Sequence, residues 1–331
     1  MIIGLVRTPC PYVTLALALL VAACTERSSA TQRAGASTDA RRDTVVVYLA
    51  ASLTRPLQAA LDTFASKNHV VIQRESGASL EHARKMTDLG RVPDVIALAD
   101  VEVFPQLLMP AHVTWYAEFA RNRMVVAFTD RSRRASQLDT TNWTSILARR
   151  DVDVGRPDPE LAPAGYRTLL LLQLAERYYR DPGLASRILA NAPRQNMRSN
   201  AAELAALLQA GELDYVFDYE SVAVAYGFRY LRLPSAIDLG DPERASTYAT
   251  ATVRVRGNRR GDSIAFAGRP IVYALSIPRA APHPQTATRF TAFLLSDVGR
   301  QLMRAGHVDA IEHAIFVGAN VPDTLRVVAG R

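Results

Sequence analysis

The sequence predicts an α/β protein, and three observations carry that expectation. Apolar runs of strand length alternate with segments of helical period. The runs are β-branched and continuous, as in strands buried on both faces, and capping residues or glycines mark the joints between segments. Thr44-Val45-Val46-Val47-Tyr48-Leu49 is the first such strand and ends at Ala50-Ala51-Ser52. Leu53, Leu57, Ala60, Leu61 and Phe64 then recur at helical spacing, with Ser52 placed as the N-cap. Val70-Val71-Ile72 predicts a second strand, followed by Glu75-Ser76-Gly77-Ala78-Ser79 and a helix from Ser79 to Leu89 that Gly90 terminates. Asp94-Val95-Ile96-Ala97-Leu98 predicts a third strand, and this alternation implies a parallel sheet.

The pattern resumes at Met124-Val125-Val126-Ala127-Phe128. A helix runs from near Pro163 through Leu169, Leu172 and Ala175 to the breaker Asp181-Pro182-Gly183. Another opens at Asn200, where Glu203 completes a capping box, and stops at Gly211. Strands are expected at Leu213–Tyr219 and Ile271–Ile277, and helices at Thr286–Leu295 and Ser296–Arg304. A chain of 331 residues with this pattern divides most naturally into two α/β lobes.

Composition narrows the functional classes. Hydrophobic residues make up 49% and charged residues 21%, which excludes a disordered chain. Cys10 and Cys24 are the only cysteines, so a disulfide framework, a zinc cluster and a cysteine nucleophile are excluded beyond residue 24. The net charge is +7, and Lys67 and Lys85 are the only lysines among 39 basic residues. A basic surface of this kind favours anionic ligands or acidic membrane surfaces.

Met1 to Cys24 reads as a secretory signal, with Arg7 as the positive region and Val13–Val21 as the apolar stretch. The apolar run is shorter than the ~20 residues that span a bilayer. Leu20-Val21-Ala22-Ala23-Cys24 resembles the bacterial lipobox, in which the cysteine is acylated and becomes the mature N-terminus. Thr25 to Asp43 has no large aliphatic residue and reads as a flexible tether. The expected organisation begins with a signal peptide over 1–23 and a lipidated terminus and tether over 24–43. The body would then work outside the cytoplasm, in the periplasm or at the cell surface.

Catalytic signatures are missing. The chain has no G-x-S-x-G, H-E-x-x-H, P-loop or G-x-G-x-x-G motif. Its six histidines lack metal-ligand spacing, and its basic residues are not interleaved with aromatics as in a nucleic-acid surface. What recurs instead is a small hydroxyl residue where a strand hands over to a helix. Ser52 follows the first strand, Ser76 and Ser79 follow the second, and Ala162-Pro163-Ala164-Gly165-Tyr166 opens the long helix. Such junctions present free backbone N–H groups and the positive end of a helix dipole, which together can hold an anion. Plain helix capping is the other reading of each junction taken alone.

At these residues the chain resembles the molybdate/tungstate-binding proteins of ABC importers, in their tungstate-type branch. The resemblance rests on Ala50-Ala51-Ser52-Leu53, Gln73-Arg74-Glu75-Ser76-Gly77-Ala78-Ser79, Pro93–Asp100, Phe119–Val125, Pro163-Ala164-Gly165-Tyr166-Arg167, Gly211–Tyr215 with Tyr219, and Pro270–Tyr273, in that order. It implies a type II periplasmic-binding-protein fold, two α/β lobes around a ligand cleft, with one lobe from 44–124 and 279–331 and a second from 125–278. By position, Ser52 and Ser79 would donate to an oxyanion from one lobe, with Ser76 a neighbour. Ala164 and Gly165 would supply backbone N–H groups from the other, and Asp218, Tyr219 or Glu220 a hydroxyl or carboxylate. The partners implied are a molybdate or tungstate oxyanion, an ABC permease with its ATPase, and the membrane through the lipid anchor. No cofactor, no free metal cation and no nucleic acid is expected, and the chain reads as a monomeric binder, not an enzyme.

The chain departs from that branch at one place. There, two carboxylates approach the metal centre, one from the residue just before the Pro-x-Gly-Tyr helix start, where this chain has Ala162. Other readings keep the fold and change the ligand to sulfate, phosphate or a small organic anion, or make the chain an exported sensor or hydrolase.

Overall fold

The computed structural model describes residues 43–257 and 261–328. The expected signal peptide, Cys24 and most of the tether lie outside the described residues. In chain order the strands are β1 (Thr44–Ala50), β2 (Val71–Gly77), β3 (Val95–Leu98), β4 (Trp115–Asn122), β5 (Met124–Phe128), β6 (Val154–Pro157), β7 (Met197–Arg198), β8 (Tyr215–Tyr219), β9 (Arg229–Arg232), β10 (Thr252–Arg256), β11 (Ser263–Ala267), β12 (Ile271–Ser276) and β13 (Asp309–Gly318).

Two sheets carry the body. One has six strands in the order β13-β4-β12-β3-β1-β2, the other five in the order β7-β6-β8-β5-β9, and β10 and β11 form a separate hairpin. The apolar runs become the central strands because only a position covered on both faces can absorb them. Val95–Leu98 and Met124–Phe128 are buried at every residue. The sheets are mixed rather than purely parallel as the alternation implied. β1 runs parallel to β2 and β3, but β12 is antiparallel to β3 and β4, and β13 is antiparallel to β4.

The chain passes between sheets at Arg123, the single residue between β4 and β5. The return lies beside it: Met124 N–H donates to Asp238 O and Ile271 N–H to Leu239 O, at 2.8 Å each. This corrects the expected lobe boundary. Ile271–Ser276, placed by the sequence reading with residues 125–278, hydrogen-bonds in the middle of the first sheet. A return strand inserted between two others leaves no mark in its own composition.

Helices leave the carboxyl ends of strands in both halves: Ala51–Thr54 after β1, Ser79–Thr87 after β2, Ala201–Ala210 after β7 and Glu220–Ala225 after β8. The long helix Pro163–Tyr179 follows β6 by a five-residue turn. Ligands of open α/β sheets bind outside these carboxyl ends.

The two halves touch along this edge. Leu80 N–H donates to Leu161 O at 3.0 Å. The Arg84 guanidinium donates to the carbonyls of Glu160 and Arg256 at 2.6 Å each. The cleft between the sheets is closed.

Candidate functional site

Between the carboxyl ends of the two sheets lies a small cavity. Its wall on the first sheet is Ala50–Ser52, Gly77–Ser79 and Ala99; on the second it is Pro157, Ala162–Ala164, Ser199–Ala201, Asp218 and Tyr219. Among the described residues that line it there is no lysine, arginine or histidine. Its polarity therefore comes from hydroxyls, from Asp218, from the Asn200 amide, and from backbone N–H groups at the first turns of helices Ser79–Thr87, Pro163–Tyr179 and Ala201–Ala210.

Three hydroxyls on this wall each accept a hydrogen bond from behind. Ser52 Oγ accepts from the Tyr273 hydroxyl at 3.0 Å. Ser79 Oγ accepts from the backbone N–H of Ala99 at 3.0 Å. Tyr219 Oη accepts from Arg167 Nη1 at 2.6 Å. Among the described residues none takes a proton from these three hydroxyls. With the acceptor side occupied, the remaining proton of each is available to a group in the cavity. Burial holds the Tyr219 phenol above its ordinary pKa, so that proton stays in place at neutral pH.

Two placements differ from the capping expectation. Ser52 sits inside the short helix Ala51–Thr54, whose N-cap is Ala50, and Ser79 is the first helical residue after Ala78. Neither side chain caps its own helix. Their oxygens are tied instead to Tyr273 of β12 and to the residue following β3. Asn200 does cap, its side chain accepting from Glu203 N–H at 3.1 Å.

Asp218 lies in β8, where every residue is buried, and its Oδ1 accepts from Tyr219 N–H at 2.7 Å. Burial pushes its pKa up to about 7, the N–H bond pulling the other way. Behind the wall, Tyr166 donates to Asp100, and Arg167 Nη2 stands 2.9 Å from the same carboxylate.

The structure thus brings Ser52, Ser79, Ala164, Asp218 and Tyr219 to one cavity and leaves three expected residues out. Ser76 Oγ is 2.7 Å from Thr54 Oγ1 and is not on the wall. Gly165 spends its N–H on Ala162 O at 2.9 Å. It is needed for another reason: a Cβ there would lie 2.5 Å from Pro157 O and from Asp158 C, so only glycine lets the helix approach that loop. Glu220 turns to a separate open cleft, where it pairs with Arg123 Nε at 3.1 Å and Arg232 Nε at 2.9 Å. Asp158 and Glu160, upstream of Ala162, are also committed, to the N–H groups of Glu160 and Arg256 respectively.

Sequence reasoning missed Ser199, Asn200, Asn122 and Tyr273. Asn200 carries a visible signal but reads as a cap, which it also is. Tyr273 lies in an apolar strand where a core tyrosine is the ordinary reading.

Two α/β sheets linked by adjacent crossovers, meeting at a small cavity at their strand ends, define the fold of the periplasmic-type binding proteins. Residues 45–307 match the family described as bacterial extracellular solute-binding protein, and the chain belongs to that family. Its family is one of solute binders, not of catalysts. The chain is 41% identical over 260 residues to an uncharacterized solute-binding protein of Petrotoga mobilis, spanning 78% of this chain and 81% of the relative. It is 32% identical over 309 residues to the molybdate/tungstate-binding protein WtpA of Pyrococcus abyssi, spanning 85% and 88%. Among solved structures, the sulfate-binding protein SubI of Mycobacterium tuberculosis H37Rv superposes with a TM-score of 0.58 at 14% identity, over 87% of this chain and 91% of that one. The Azotobacter vinelandii periplasmic molybdate-binding protein gives 0.57 at 14%, over 80% and 98%. These two likenesses establish the fold.

Proposed function

We propose that the cavity holds a tetrahedral oxyanion, molybdate or tungstate, and that the chain delivers it to the permease and ATPase of an ABC importer from a lipid anchor at Cys24. The observation that carries this reading is the set of three hydroxyls, Ser52, Ser79 and Tyr219, each loaded from behind and left with a proton for the cavity. An oxyanion entering a closed cleft loses its hydration shell, and converging O–H and N–H donors replace that shell without a full counter-charge. The likeness to WtpA of Pyrococcus abyssi, named for molybdate and tungstate, supports the same ligand. The test is calorimetry of the full chain with molybdate, tungstate, sulfate and phosphate. Tight binding of the first two with weak binding of the others is expected. Preference for sulfate or phosphate would change the ligand, and no binding of any of the four would remove the oxyanion reading.

A further inference from the structure

Asn122 ends β4, one residue before the crossover to β5, and does not line the cavity. Its side chain nevertheless governs a group that does. Asn122 Oδ1 accepts from the backbone N–H of Arg123 at 2.9 Å. A backbone N–H can only donate, so this contact fixes which way the amide faces, and the other atom is the NH₂. That NH₂ spends its two hydrogens on Tyr273 Oη at 2.9 Å and Ser221 Oγ at 2.7 Å. Tyr273 is therefore an acceptor from Asn122, and its own proton goes on to Ser52 Oγ at 3.0 Å. The phenol cannot escape this role by ionising at neutral pH, since burial pushes its pKa up to about 12.

We infer that Asn122 is a positioning residue for the cavity: it polarises the chain Arg123 N–H, Asn122, Tyr273, Ser52 in one direction, so that the Ser52 proton faces the bound anion. The chain joins the halves as well. Tyr273 belongs to the first sheet and Ser221 to the helix that follows β8 in the second, so one amide at the crossover ties the hinge to an anion donor. The inference rests on the oxyanion reading of the cavity and adds a residue outside it.

Asn122→Asp reverses the chain. A carboxylate accepts from Arg123 N–H as before but also accepts the Tyr273 proton, and the Ser52 hydroxyl then turns to donate to Tyr273 instead of to the anion. Tyr273→Phe removes the link without adding charge and separates bond direction from electrostatic repulsion. Both are compared with wild type in the Ser52 chain and in a Ser52→Ala background, by calorimetry of the full chain with tungstate, with folding followed by thermal melting. In the Ser52 chain, Asn122→Asp is expected to weaken tungstate at least tenfold, the scale of one hydrogen bond to a charged group. Tyr273→Phe is expected to weaken it about threefold to tenfold, since a freed hydroxyl still donates part of the time. In the Ser52→Ala background the loss from Asn122→Asp should shrink at least threefold, and Tyr273→Phe should change affinity by less than twofold. Equal losses in both backgrounds would overturn the relay while leaving the oxyanion reading intact. If Asn122→Asp does not fold, Tyr273→Phe alone decides, by the same comparison. A wild-type chain that binds none of the four oxyanions overturns both.

Discussion

Arg167 and Asp100 form an ion pair across the two halves of the molecule, with Nη2 and Oδ2 2.9 Å apart and side chains only 2% and 3% exposed. Burial works against the charge on Arg167, but Asp100 and the hydroxyls of Tyr219 and Tyr166 together outweigh it and hold the guanidinium above its ordinary pKa. The pair is shared on both sides. Arg167 also donates to Ala99 O and Tyr219 Oη, and Asp100 accepts from Tyr166 and from the N–H of Glu102. A cation placed so close to an anion cavity, yet kept behind its wall, orients Tyr219 without offering the ligand a direct counter-charge.

Removing one member leaves the other charged and buried. Arg167→Met is expected to cost about 3–5 kcal/mol of stability, read by denaturant unfolding. The double variant Arg167→Met with Asp100→Asn should lose less than the sum of the single losses, because neither orphaned charge remains. A loss under about 1 kcal/mol for Arg167→Met would show that the pair does not hold the halves together.

Ser52→Ala and Ser79→Ala each delete a donor whose oxygen is already occupied from behind. Each is expected to weaken oxyanion binding by about 1.5–3 kcal/mol. Stability should fall less than affinity, since the lost contacts are single neutral hydrogen bonds to Tyr273 and Ala99. Unchanged affinity in both variants would return these serines to a structural role.

Much of this site was legible in the sequence because strand-to-helix junctions are written locally. Ser52, Ser79 and Ala164 each sit beside a run whose period changes from strand to helix, and the structure brings all three to one cavity. The residues that load those hydroxyls were not legible. Tyr273 lies 221 residues from Ser52, and Asn122 lies 151 residues from Tyr273. Only the return of the chain into the first sheet makes them neighbours, and that return is a property of topology. Glu220 and Asp218 differ in the same way. Adjacent in sequence to Tyr219, they are sent to opposite surroundings by the switch from strand β8 to a helix at Glu220.

Cys24 is expected to carry the anchor. Cys24→Ala should move the protein from the membrane to the soluble extracytoplasmic fraction on fractionation of expressing cells. Membrane retention of the variant would assign the attachment to another feature.

Asp218 makes stability fall with pH. Its folded pKa of about 7 stands above the ~3.9 of an unfolded aspartate. Between those values the folded chain keeps a proton that the unfolded chain has lost, so this contribution is intact below about pH 4 and is lost as pH rises toward 7. In the absence of ligand, Asp218→Asn should therefore unfold at a higher temperature than wild type at pH 8 and at nearly the same temperature at pH 4. Anion affinity should follow the same proton, declining above pH 7 in wild type and flattening in the variant. A variant no more stable than wild type at pH 8 would show that the carboxyl finds compensation elsewhere.

The coordination of a bound tungsten centre follows from which carboxylates can reach it. Two such groups would be needed to expand a tetrahedral centre to six oxygens. Ala162 offers none at the helix start, and Asp158 and Glu160 are held by the N–H groups of Glu160 and Arg256. Glu220 is held between Arg123 and Arg232 in a different cleft. Only Asp218 remains on the cavity wall, and burial, which pushes its pKa up to about 7, favours the protonated form, suited to donate a hydrogen bond rather than to ligate. A tetrahedral centre, or one expanded by a single oxygen, is therefore expected, together with weaker rejection of sulfate than a two-carboxylate site would give. X-ray absorption on the tungstate-loaded protein measures the count directly. A six-coordinate centre with two protein carboxylate oxygens would require the loop at 158–162 or the Glu220 pairs to rearrange on binding, and would overturn this expectation.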